Sequence, residues 1–97
     1  MATYLGLVKF TEQGTKGIKN TCKRAADFQA SAKKLGGDIK EIYWSLGAYD
    51  GVMVFEAGDD ETATAVMLSL SVLGNVKTET LRLFSSAEMT KILAKLP

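Results

Sequence analysis

Two segments of this chain are apolar at odd and even positions alike. In Thr3–Phe10 (TYLGLVKF), Tyr4, Val8 and Phe10 alternate with Leu5 and Leu7. In Gly51–Ala57 (GVMVFEA), Met53 and Phe55 alternate with Val52 and Val54. Successive side chains of a strand point to opposite faces of its sheet, so both faces of these two strands need cover. Only two long amphipathic stretches are on hand to supply it.

The first stretch begins after Thr11–Gly17, whose glycine and threonine breaks open a helix. Its apolar stripe is Ile18, Cys22, Ala25, Phe28, Ala32 and Leu35, at helical spacing. Gly36-Gly37 stops it. A strand follows over Ile39–Leu46. The second helix opens on Asp59-Asp60-Glu61, negative charge where unpaired N–H groups welcome it. It buries Ala63, Val66, Met67, Leu70 and Leu73 and ends at Gly74-Asn75. Val76–Phe84 reads as a fourth strand. Ser85-x-x-Glu88 is a capping box for a last short helix with Met89, Ile92, Leu93 and Leu96 on one side.

The order βαββαβ plus a C-terminal helix predicts an α+β, ferredoxin-like domain spanning residues 1–97. Right-handed crossovers give a four-stranded antiparallel sheet in the order 4-1-3-2, with both long helices on one face. The other face is then left open, although Leu5, Leu7, Val52 and Val54 point into it. Each large apolar side chain left in water forgoes ~1.5–3 kcal/mol of burial. The four apolar residues of the last helix are too few to cover a four-stranded sheet. A second copy, packed sheet to sheet, is the expected cover, so the chain itself is the first expected partner, as a homodimer or a multiple of one.

Composition narrows the chemistry. A chain of 97 residues, 46% hydrophobic, with a net charge of +1 has no basic stripe for direct nucleic-acid binding. Lys16, Lys19, Lys23, Arg24, Lys33 and Lys34 read as one solvated helix face. No charged-then-apolar leader opens the chain and no apolar run reaches ~18 residues, so neither membrane insertion nor export is expected. The single cysteine, Cys22, cannot form an internal disulfide and suits a cytoplasmic protein. Its place on the stripe with Ile18 and Phe28 predicts a buried, inert thiol. The chain has no histidine, which removes haem ligation through histidine, histidine-based triads and nearly all zinc sites. No metal or cofactor is expected.

The predicted topology gathers Lys9, the turn Gly47-Ala48-Tyr49-Asp50 and the segment Asn75–Thr78 at one end of the sheet. Tyr4, Glu56 and Arg82 fall toward the other. Tyr49, Asp50, Lys9, Trp44, Asn75 and Thr78 are therefore the candidate ligand-binding residues: a hydroxyl, a carboxylate, an amide and an ammonium beside an aromatic wall. Each also has a plainer role. Gly47 supplies a positive φ, Asp50 binds turn N–H groups, Asn75 belongs to a helix exit, and Tyr49 packs at a subunit contact. Trp44 fills a strand and Lys9 reaches solvent from a strand end.

The runs YWSLGAYD (Tyr43–Asp50), Glu56-Ala57 with Asp59-Asp60-Glu61, and GNVKTETL (Gly74–Leu81), with Leu35-Gly36-Gly37, resemble the GYD-domain family over nearly the whole chain. These are small bacterial and archaeal proteins without an established activity, of dimeric α/β-barrel type. Gly51 departs from the family pattern, and Asp50-Gly51 would suit a two-residue type I′ turn. The turn and the start of the last strand are also similar to the effector-binding domain of leucine-responsive transcription regulators, which binds amino acids at subunit contacts. No helix-turn-helix accompanies it here. The resemblance implies a homo-oligomeric small-molecule-binding or regulatory module with its site at the subunit contact. Two alternatives stay open: a cofactor-free monooxygenase- or isomerase-like enzyme, and a purely structural assembly partner.

Overall fold

The computed structural model describes residues 1–97. Its strands are β1 (Ala2–Phe10), β2 (Asp38–Trp44), β3 (Gly51–Ala57) and β4 (Val76–Leu83). Its α-helices are α1 (Glu12–Lys16), α2 (Thr21–Leu35), α3 (Asp60–Ser71) and α4 (Ser86–Leu93), with a 3-10 turn over Ile18–Asn20. The strands form one antiparallel sheet in the order β2-β3-β1-β4, the expected ferredoxin-like arrangement. No helix is long and apolar enough to cross a membrane.

Strand register sorts the side chains onto two faces. Tyr4, Val8, Met53 and Phe55 face the helices and are buried with Phe28 and Ala32 of α2 and Ala63, Val66 and Met67 of α3. Tyr4 stacks on Phe55 at 5.3 Å, and its hydroxyl donates to Asp60 Oδ1 at 2.6 Å, tying β1 to the start of α3. The opposite face carries the cross-strand rows Tyr43, Val52, Leu7, Glu79 and Glu41, Val54, Leu5, Leu81. A bulge between Ile39 and Glu41 keeps β2 in step, so that Ile42 pairs with Met53 on the inner face.

The C-terminal helix does not fold over that open face. Its capping box forms, with Ser85 Oγ accepting from Glu88 N–H and Glu88 accepting from Ser85 N–H. Arg82 pins its first turn through Glu88 at 3.2 Å. Yet α4 buries none of its residues. The radius of gyration, 14.7 Å, exceeds the ~13 Å usual at this length.

Three expectations need correction. The helix expected to run from Ile18 starts as an α-helix only at Thr21. Ile18–Asn20 is a 3-10 turn, and the breaks before it hold a short helix of their own, α1, which ends at Gly17. Cys22 is exposed, not buried. With about 100° per residue it lies roughly 120° round the helix from Phe28, in the first turn and away from the sheet. The β2–β3 connection is not a two-residue turn at Asp50-Gly51. Gly51 already pairs with Trp44, and Ser45 N–H donates to Asp50 O at 2.9 Å, closing a longer loop in which Gly47 has φ +119°. Ile39–Leu46 accordingly ends as a strand at Trp44.

Candidate functional site

Asp50 is built into the end of β1. Its N–H donates to Val8 O at 2.8 Å, and its Oδ2 accepts from Phe10 N–H at 2.8 Å. One residue thus caps both backbone groups flanking Lys9 and holds the turn against the central strand. Ser45 Oγ donates to Tyr49 O at 2.7 Å from the other side of the loop. The Tyr49 side chain then reaches past β1 to β4, where its hydroxyl donates to Glu79 Oε2 at 2.6 Å. That hydrogen bond to a carboxylate, with the negative charge beside it, raises the Tyr49 pKa above its ordinary value.

Asn75 is set by α1. Thr11 N–H donates to Asn75 O at 3.1 Å, Thr11 Oγ1 donates to Gly74 O at 2.6 Å, and Gln13 Nε2 donates to both Leu73 O and Asn75 Oδ1. Gly14 makes this docking fit, since a Cβ there would lie 2.0 Å from Asn75 O. Trp44 turns toward the helices, its indole N–H donating to Thr21 Oγ1 at 3.0 Å.

The six candidate residues do meet at one end of the sheet, but they divide between its faces. Trp44, Asp50 and Asn75 line a cleft of about 490 Å³ between the sheet and helices α2 and α3. Tyr49, through Glu79, and Lys9, which pairs with Lys77, belong to the open face. Thr78 pairs with Val8 on the inner side of β4, outside the cleft lining. The hydroxyl and the ammonium therefore do not converge with the carboxylate and the amide on one point. No three His, Cys, Asp or Glu side chains come together as a metal-ligand set.

Two residues of this region escaped sequence reasoning. Glu79, the partner of Tyr49, was hidden because only the register places it opposite Leu7. In sequence Arg24 belongs with the solvated lysines. It lines the cleft half-buried, and its Nη2 donates to Gly14 O at 3.3 Å and to Gly17 O. Its spacing was the available signal: four residues before Phe28, it shares that residue's helix face.

The profile of the GYD domain matches residues 4–93. The chain belongs to the GYD family. A relative from Thermus thermophilus is 32% identical over 90 residues, covering 92% of this chain and 95% of its own, and is named "Glutamine synthetase and cystathionine beta-lyase binding protein". A crystal structure from the same organism superimposes on this GYD chain with a TM-score of 0.59 at 24% identity, covering 89% of this chain and 96% of that one. A homoserine dehydrogenase from Thiobacillus denitrificans shares the fold at TM-score 0.60 and 17% identity. The GYD chain spans only 17% of its length.

Proposed function

We propose that this GYD protein is a binding module that pairs with a second copy of itself through the open face of its sheet and in that form holds another protein. The observation that carries the reading is the unpartnered apolar surface. Leu5, Leu7, Val52 and Val54 are only half-buried, and Leu81 and Tyr43 stand 43% and 56% exposed in the same two rows. Contiguous apolar surface of this kind marks an interaction site. Its centre on β1 and β3 is apolar and is bordered by charged side chains (Lys9, Lys77, Glu79, Glu56), a layout that a two-fold contact can use.

A second apolar stripe, Met89, Leu93 and Leu96 around α4, is 40–65% exposed and stands off the sheet. It is the natural contact for a different protein. The name of the Thermus relative supports protein binding as the output, and its two enzymes are the first partners to test.

A catalytic reading receives less support. Asp50 caps β1, the Tyr49 hydroxyl is tied to Glu79, and Lys9 lies on the far side of the sheet from Asn75. The test is size-exclusion chromatography of the purified protein with purified glutamine synthetase and cystathionine beta-lyase from the same organism. Co-elution with either, lost on Leu93→Asp, supports the proposal. Failure to associate with both contradicts its partner half.

A further inference from the structure

The cleft between the sheet and the helices is apolar at its floor and polar at its mouth. Val8, Phe28, Met53 and Val76 form the floor, each less than a tenth exposed, and Leu70 and Trp44 stand at the sides. A volume of about 490 Å³ falls within the range of small-molecule sites. At the mouth, Arg24, Asp27 and Asn75 are shared with a second depression lined by Gln13, Gly17, Asn20 and Lys23, with no apolar residue. The apolar chamber thus borders a polar vestibule across Arg24, Asp27 and Asn75.

The charge of that vestibule is not balanced. Asp27 is matched by Lys23 at 3.0 Å. Arg24 has no carboxylate within ion-pair distance. The carbonyls of Gly14 and Gly17 hold its guanidinium in place without neutralising it, leaving N–H donors on the planar fork. Beside it, Asn75 uses Oδ1 for Gln13, which leaves its amide donors free. Asp50 borders the chamber on the sheet side, is engaged by Phe10 N–H, and takes no part in the vestibule.

We propose that this cleft binds a small amphipathic carboxylate, its aromatic or branched apolar body against Phe28, Met53 and Val76 and its carboxylate on Arg24 with Asn75. This site is separate from the open sheet face and does not depend on the self-association proposed above.

Phenylbutyrate and its uncharged counterpart phenylbutanol are suitable probes, titrated into the ¹⁵N-labelled wild-type protein and followed by amide and indole NMR shifts. The expected result is saturable movement of the Trp44 indole, Phe28 and Asn75 signals, with the acid binding more tightly than the alcohol. Arg24→Gln should weaken the acid by about tenfold or more and leave the alcohol unchanged, since a charge-assisted hydrogen bond is at stake. Arg24→Lys, which keeps the charge but not the fork, should fall between. Ala25→Phe, which fills the chamber from α2, should abolish both. Should Arg24→Gln unfold, the acid-over-alcohol preference of the wild type decides alone. The proposal is overturned by no saturable shift at millimolar acid, by equal binding of acid and alcohol, or by shifts confined to the open-face residues Leu5 and Leu7.

Discussion

The Tyr49 hydroxyl and the Glu79 carboxylate, 30 positions apart in sequence, are 2.6 Å apart in space. The bond links the β2–β3 loop to the far edge strand β4 and passes the end of β1 to do so. It belongs to the open face, in line with Leu7 and Val52.

That bond makes a pH prediction. A tyrosine is neutral when protonated, and a hydroxyl donating to a carboxylate resists ionisation, so the folded pKa lies above the unfolded one. The stabilisation is fully present below about pH 10 and is lost as pH rises through the folded value. Tyr4 with Asp60 and Tyr43 with Glu41 are raised for the same first cause, and the chain has three tyrosines in all. Tyrosinate absorbance of the folded protein should therefore rise on the alkaline side of the curve measured in urea. Tyr49→Phe should remove one component and leave the remainder displaced. Superimposed folded and unfolded curves would contradict the geometry.

Asp50 acts through its acceptor oxygen on Phe10 N–H. Asp50→Asn keeps an acceptor and should leave thermal stability nearly unchanged. Asp50→Ala strands that N–H and should cost about 1 kcal/mol. A urea melt of the two variants beside wild type distinguishes them, and equal losses would show that charge, not the hydrogen bond, matters there.

Gly14 tests how α1 sets the mouth of the cleft. Its missing Cβ lets α1 lie on Asn75, and backbone cannot yield as a flexible side chain can. Gly14→Ala should destabilise by about 1–3 kcal/mol in spite of alanine's better helix propensity. A melt at or above that of wild type would show that the α1–Asn75 contact is loose.

Much of this molecule was legible in its residues, for local reasons. Two-sided apolar strands, Gly36, the acidic run Asp59-Asp60-Glu61 and the Ser85–Glu88 box each report their element without help from the rest, and their order gives the sheet. What failed was orientation. Cys22 is linked to Phe28 only by three-residue steps through Ala25, and each step turns the stripe by about 60°, so Cys22 ends roughly 120° from Phe28 and exposed. Arg24 looked like one more solvated cation because carbonyls from a separate loop, Gly14 and Gly17, hold it. The candidate residues lie at one end of the sheet, but alternation along β1 and β4 sends Lys9 to the open face and Thr78 to the inner one, and the long loop after Trp44 carries Tyr49 over to Glu79.

The exposure of Cys22 is open to direct measurement. An exposed thiol should react with Ellman's reagent in the folded protein, one equivalent without denaturant. Reaction only after unfolding would return Cys22 to the core and shift the start of α2.

Sedimentation velocity of the wild type at micromolar concentration, beside Leu7→Lys, tests self-association through the open sheet face most directly. Leu7 sits at the centre of that face, between Val52 and Glu79. The wild type should sediment as a dimer or a multiple of one. Leu7→Lys should give monomer or aggregate. A wild type that stays a stable monomer, with Leu7→Lys indistinguishable from it, would contradict the account.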